Sequence, residues 1–372
     1  MGNKAHFVCL SFLLAAVLMI SGCGRSQGDS QTQSGERIPD TKVMESEEVN
    51  RIQTTSEIVE LEDGFSTVRY DGDYGFAEFL AQGGAASDRE VVQYLAENLL
   101  DDFDLGDLLG GIFGCSTIAV SNADGDVLFG RNFDWNTCEA MVVESHPLEE
   151  YASLATVNMN FITQSISGML GAVLQLDQVR TLAALYAPLD GMNEAGLAVS
   201  VNMIQDSATI DQDTDKPDIT TTTAVRLLLD QAANVEEALE LLSQYDLHAS
   251  MGMMIHLALA DADGRSVVVE YVENEMIVMD TPVVTNFYLA EGEKNGIGTA
   301  QSHERYNILM ELLEQKEHME ASDVKDALDS VSKDNFDEFA STEWSAVFNL
   351  HTGEARYYHR ENYEKSYVFS LK

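Results

Sequence analysis

Residues 115–135, CSTIAVSNADGDVLFGRNFDW, constrain the fold of this chain more than any other stretch. Residues 115–122 are β-branched and apolar, Ala123-Asp124-Gly125-Asp126 supplies turn chemistry, and residues 127–133 return as a second run, so the pattern predicts a β-hairpin. Arg131 and Asp134 fall sixteen and nineteen residues after the cysteine. A hairpin can therefore bring a cation and a carboxylate back beside the sulfur. The first strand opens at Gly114-Cys115, and cutting that bond would give Cys115 a free α-amine within reach of its own thiol. One event would create a nucleophile and its base, since the thiolate is the reacting form and an α-amine titrates at about 7.7–8.0.

With 372 residues, 45% of them apolar, the chain can bury a large core. Its 63 acidic and 21 basic residues give a net charge of −42, which repels nucleic acid and anionic lipid surfaces. An anionic substrate would need one of the few arginines. The eight histidines are scattered, and neither CxxC nor HExxH occurs, so no metal and no cofactor is expected. Asp261-Ala262-Asp263-Gly264 reads as a hairpin turn between two strand patterns.

The first residues form a targeting segment. Lys4 precedes an apolar run over residues 8–20 that is short for a bilayer span, followed by Ile20-Ser21-Gly22-Cys23. This resembles the lipobox of bacterial lipoproteins, which implies a signal peptide over 1–22, lipid on Cys23 and an extracytoplasmic, membrane-anchored protein. Residues 23–56, polar and free of aromatics, read as a disordered tether. Cys9 leaves with the signal peptide. Cys115 and Cys138 remain; an even pair in an exported protein leaves a Cys115–Cys138 disulfide open, but Cys138 is expected unpaired and buried near the site.

Beyond the tether, residues 58–74 look extended and 87–103 helical, with Ser87 as N-cap. Residues 101–113 look like a linker. Strand patterns follow at 140–144, 195–203, 253–260, 266–272, 275–280, 283–288, 345–349, 355–359 and 366–370. Two helical regions interrupt them, one over 221–245 split at a capping Asn234, the other over 305–315 and 322–331 with Ser322 as cap.

Here a family resemblance becomes specific. The segment opening at Cys115 resembles the start of the N-terminal-nucleophile hydrolases of the choloylglycine hydrolase and acid ceramidase superfamily, which includes penicillin V acylase. LDGMNEAGLAVSVNM (189–203), VVTNFYL (283–289), SHERYNIL (302–309) and TEWSAVFNLHTGEARYYHR (342–360) are similar to later family segments, in order. The resemblance implies an α+β fold, a four-layer αββα sandwich of two antiparallel sheets flanked by helices. It implies Cys115 as nucleophile with its own amine as base, Arg131 and Asp134 tuning thiol and amine, Asn202 and Asn286 serving the oxyanion or its support, and Arg305 completing the polar network. The spacing between Gly191 and Asn202 is one residue shorter than in bile salt hydrolases. The expected partner is a small-molecule N-acyl amide whose linear C–N bond is cleaved; the oligomeric state stays open.

Bile salt hydrolases expose their cysteine by losing an initiator methionine, whereas residues 57–114 here form a pro-segment ahead of a catalytic domain over 115–372. That layout resembles acid ceramidase and implies self-cleavage at Gly114–Cys115. Other readings stay open: acyl transfer to an amine through the same acyl-enzyme, a Cys–His hydrolase using His146, His256, His303 or His351, and an inactive lipid-anchored binding protein.

Overall fold

The structure, a computed structural model, describes residues 47–99, 114–165, 176–333 and 340–372. The expected signal peptide, Cys23, most of the tether and the linker over 101–113 lie outside these residues. The described part belongs to one unit, Glu45–Lys372.

Two large sheets form its centre. The first runs in the order β1 (Glu48–Arg51), β18 (Lys365–Ser370), β17 (Glu354–His359), β16 (Ser341–Asn349), β5 (Val127–Trp135), β4 (Gly114–Ser121), β15 (Val283–Val284). The second runs β14 (Glu275–Asp280), β13 (Ser266–Val272), β12 (Ile255–Asp261), β9 (Leu197–Met203), β8 (Asp190–Asn193), β7 (Ser153–Asn158), β6 (Ala140–His146), β3 (Phe65–Asp71), β2 (Val59–Glu62). A small parallel pair, β10 (Asp218–Thr220) and β11 (Asp246–His248), stands apart.

The period-2 alternation of these strands sorts their side chains into three cores. Cys115, Ala119, Phe129 and Phe133 of the first sheet meet Ala198, Ala258 and Ala260 of the second between the sheets. Val199, Val201, Leu257 and Leu259 face outward under α1 (Phe76–Ala81), α2 (Asp88–Leu99), α3 (Met159–Ser165), α4 (Asp177–Leu185), α5 (Thr221–Gln231) and α6 (Val235–Leu242). On the opposite outer face, Ile118, Leu128 and Val347 pack against α7 (Ala300–Gln315) and α8 (Ala321–Ser330). The layers are therefore helix, sheet, sheet, helix, the expected αββα sandwich. Gly130 lets α8 approach β5 closely, because a Cβ there would stand 2.7 Å from Val324 Cγ1.

Within the two large sheets, pairing is antiparallel except where residues upstream of Cys115 join. β1 runs parallel to β18, and β3 runs parallel to β6 over seven residues. The upstream segment thus extends both sheets instead of forming a separate body. β1 also lies in the range that reads as tether. Its sequence, EVNR, is mostly exposed and needs only backbone pairing to hold an edge position, so it carries little strand signal.

Several local expectations are met closely. β13 and β14 have the expected bounds, Asn234 caps α6 by accepting from Glu237 N at 3.0 Å, and Ser87 Oγ accepts from Glu90 N at 3.3 Å. The turn at residues 261–264 joins β12 to β13. Others differ. α7 begins at Ala300 under a Thr299 cap, and α8 is preceded by Glu320, not Ser322, in a capping box with Asp323. The strand expected at 283–288 stops after two residues. α3 and α4 carried no expectation: their apolar faces are short, and α4 is buried nearly all round, which blurs the helical period.

Candidate active site

The hairpin of β4 and β5 places Cys115 opposite Phe133, and Arg131 opposite Thr117, one pair further along the same face. Cys115 is 2% exposed and lies between the sheets. Asp134 stands opposite Gly114. Because Arg131 and Asp134 are three residues apart on a strand, they point to opposite faces. They form no pair with each other; each has its own partners.

Arg131 is fully buried. Its Nε donates to Asp190 Oδ2 at 3.2 Å, Nη1 to Asn132 O and Asn202 Oδ1, both at 2.8 Å, and Nη2 to Val201 O at 2.8 Å. Burial alone would lower its pKa, but the neighbouring Cys115 sulfur and the Asp190 carboxylate outweigh that and hold it above its ordinary value. Asp190, at the start of β8, also accepts from Trp344 Nε1 at 2.9 Å, and burial pushes its carboxyl up against the pull of Arg131.

Asn202 supports this arginine. Its Oδ1 accepts from Arg131 and from Ser200 Oγ at 3.1 Å, while Nδ2 donates to Thr117 Oγ1 at 3.4 Å. Both ends of the amide are engaged away from the sulfur.

On the helix side of β4 and β5, Asp134 accepts from Thr342 Oγ1 at 2.7 Å and pairs with Arg305 at 3.3 Å and Lys333 at 3.5 Å. Arg305 of α7 is the hub there. Its Nη1 donates to Cys115 O at 2.7 Å and Ser116 Oγ at 2.6 Å, and its Nη2 donates to Asn286 Oδ1 at 2.7 Å. The same Asn286 oxygen accepts from Cys115 N at 2.6 Å, and Asn286 Nδ2 donates to Met203 O at 2.7 Å. The nitrogen of the Gly114–Cys115 bond is thus held by Asn286, and the carbonyl on its other side by Arg305.

Of the residues expected at the site, Cys115, Asn286, Arg305 and Asp134 form one connected set, and Arg131 with Asn202 forms a second across the strand. Cys138 is free and buried, but it lines a different, polar cleft with Arg180 and Arg360. Burial and Glu343 push its thiol well above the usual range.

Asp190 carried no expectation, and His256 was expected only as one alternative base of a Cys–His pair. Asp190 sits inside the quoted segment 189–203; a lone acid on a strand buried on both faces is the signal that marks it. His256 of β12 is fully buried, with Nδ1 2.9 Å from Glu270 Oε1 and Nε2 2.7 Å from the carbonyl of Thr285, next to Asn286. Glu270 also accepts from Leu289 N and Ala290 N, and although burial would raise it, His256 and these N–H groups hold it below the usual carboxylate range. Both ring nitrogens of His256 are therefore engaged in positioning the 285–290 turn. His146 bonds Glu144, His303 bonds Gly296 O and His351 accepts from Val127 N, so none of the four histidines is the base of a Cys–His pair in this structure.

The sulfur opens onto a small apolar pocket lined by Phe133, Trp135, Phe161, Met203, Met251 and others. Among the described residues no helix is long and apolar enough to cross a membrane.

Comparison with known proteins agrees with this geometry. Residues 115–287 match the linear amide C–N hydrolases, choloylglycine hydrolase family. No curated protein is similar enough to count as a relative. Two variants of the conjugated bile acid hydrolase from Clostridium perfringens have similar structures, with 17% and 16% identity, a TM-score of 0.51, and coverage of 69% of this chain and 92% of theirs. Penicillin V acylase from Agrobacterium tumefaciens is 20% identical with a TM-score of 0.46, covering 66% of this chain and 83% of its own. At such identities the likeness to the bile acid hydrolase speaks to the fold alone. The segment matched to that family contains Cys115, Arg131, Asp134, Asn202 and Asn286, and Arg305 lies beyond it.

Proposed function

We propose that the chain cuts itself at Gly114–Cys115 and then hydrolyses the linear amide of an N-acyl compound through a thioester on Cys115. The observation that carries this reading is the buried sulfur beside Arg131, with its own backbone nitrogen held 2.6 Å from Asn286 Oδ1 at the mouth of an apolar pocket.

In the first stage the Cys115 sulfur attacks the Gly114 carbonyl carbon. The C–N bond breaks, the nitrogen takes the proton, and Gly114 is left as a thioester. Water then hydrolyses that thioester, giving a Gly114 carboxylate, a free thiol and a free α-amine. In turnover the α-amine takes the thiol proton as sulfur attacks the substrate carbonyl, then passes it to the departing amine, and water releases the acid. Arg131 stabilises negative charge developing on sulfur, held in place by Asp190 and Asn202. Asn286 holds the α-nitrogen through Oδ1, and the second N–H of its Nδ2, the first being given to Met203 O, serves the oxyanion, a contribution worth about 10²–10³ in rate. Arg305 and Asp134 fix the cysteine backbone from the helix side.

The sequence ahead of residue 47 supports a lipid anchor on Cys23 and an extracytoplasmic place, and mass spectrometry of the N-terminal peptide checks for the lipid. For the catalytic reading, intact-mass analysis and N-terminal sequencing are compared for the wild type and Cys115→Ala. The wild type should give two pieces, one starting at Cys115, and the variant one inert chain. A fully active wild type that is uncut would refute the proposal.

A further inference from the structure

Lys333 is a buried cation to which the chemistry above gives no task. It follows α8 and is only 9% exposed. Its Nζ stands 3.5 Å from Asp134 Oδ2, an oxygen that already faces Arg305 Nη1 at 3.3 Å. Its main chain is fixed as well. Lys333 N donates to Thr342 Oγ1 at 2.9 Å, Thr342 N donates to Lys333 O at 3.0 Å, and Thr342 Oγ1 donates to Asp134 Oδ1 at 2.7 Å. Thr342 thus ties the lysine and the carboxylate into one hydrogen-bonded group.

The charges around the Cys115 nitrogen show why a second cation matters. On the helix side of the sheet stand Arg305, Lys333 and Asp134, two positive charges against one negative. Arg305 reaches the nitrogen through Asn286 Oδ1, which accepts from both Arg305 Nη2 and Cys115 N. Across the strand Asp190 balances Arg131, and His256, with an acceptor at each ring nitrogen, offsets Glu270. The thiol itself lies beside Arg131. Self-cleavage also forms a carboxylate on Gly114, but that group must leave the sulfur before a substrate carbonyl can take its place. One helix-side charge is therefore uncompensated. Arg305 alone would balance Asp134, and burying a second cation there costs free energy that the fold does not need.

Resting on the reading that the freed amine of Cys115 is the base, we infer that Lys333 is a positioning residue that keeps this amine neutral and ready to take the thiol proton. It acts through Asp134, whose carboxylate would otherwise favour the ammonium form. An α-amine free of neighbours titrates at about 7.7–8.0. A nearby negative charge raises that value and an unbalanced positive charge lowers it. Lys333 tips the local sum positive, so the amine gives up its proton at a lower pH with the lysine than without it.

The test is the pH profile of kcat/KM, whose acid limb reports the base of the free enzyme. It uses the full chain, shown by intact mass to have cut itself, and the acetyl, dodecanoyl and cholyl amides of aminomethylcoumarin. Lys333→Met should move the acid limb up by about one pH unit, so the loss is about tenfold on the acid side and shrinks as the pH rises. Lys333→Arg, which keeps the charge, should restore the wild-type midpoint. A limb that stays in place in Lys333→Met overturns the inference, because a purely structural lysine lowers the rate without moving the midpoint. If Lys333→Met does not fold, or no amide is hydrolysed, the cut wild type decides. NMR titration of the Cys115 Cα, with isotope-labelled cysteine and the thiol blocked as its methyl disulfide, should place the amine below about 7.7. A midpoint at or above that value overturns the inference. Absence of amide hydrolysis strikes the amidase reading alone, whereas an uncut wild type strikes both.

Discussion

Replacing Asp190 by asparagine isolates the buried charge on which the sulfur's environment rests. In the wild type Arg131 and Asp190 are both fully buried and bond at 3.2 Å. Removing one partner of such a pair leaves an uncompensated charge, at a cost of about 3–5 kcal/mol. Two features place Asp190→Asn at the lower end. The guanidinium keeps three oxygen acceptors, Asn132 O, Val201 O and Asn202 Oδ1, and the carboxylate it loses was itself disfavoured by burial. The expected loss is about 3 kcal/mol. With an unfolding entropy of about 2.1 cal/mol/K per residue, a unit of this size should lose about 4 °C in Tm. Adding Arg131→Met removes the stranded cation and should recover much of that loss, while turnover falls further because nothing then stabilises charge on sulfur. Calorimetric unfolding of the two single variants and the double, with kcat/KM for each, makes a complete cycle. An Asp190→Asn protein as stable as wild type, or a double variant less stable than Asp190→Asn, would refute the claim that these two charges depend on each other.

Two further expectations follow from the same structure. His256→Gln removes a charge-assisted bond to Glu270 and the donor to Thr285 O, so kcat should fall about tenfold with KM little changed, beyond a stability loss of about 1.5–3 kcal/mol; unaltered turnover in a folded variant would reduce His256 to a structural residue. Glu62 of β2, bonded to His359, Lys365 and Tyr367, is held down to about 2 from its ordinary 4.5: burial opposes ionisation, but these three partners outweigh it. Ionised Glu62 therefore stabilises the fold fully above pH 4.5, and that contribution disappears as the pH falls through about 2. The shift corresponds to about 3 kcal/mol, reduced to about half by partial solvent screening. Glu62→Gln should be less stable than wild type at pH 7, with the gap closing toward pH 2, and denaturant titrations at several pH values read it directly.

By itself the sequence determined the elements whose signals are local. The β4–β5 hairpin, the β13–β14 pair and the Asn234 cap follow from alternation, turn residues and side-chain caps within a few residues of each other. It also marked Cys115, Asn286 and Arg305, because the ordered segments around them resemble those of a known family. Tertiary structure alone decided which groups meet. The three-residue offset between Arg131 and Asp134 reads as closeness along the chain, yet the pleat sends them to opposite faces, so Arg131 takes its counter-charge from Asp190, 59 positions away, and Asp134 takes cations from Arg305 and Lys333. The pairing of β1 and the place of α2, a helix its own periodicity predicts, were decided in the same way: β1 is an edge strand held by backbone pairing, and α2 packs beside Phe161, Tyr186 and Met251. Their roles arise from long-range pairing, and alternation, periodicity and capping report only on neighbours along the chain.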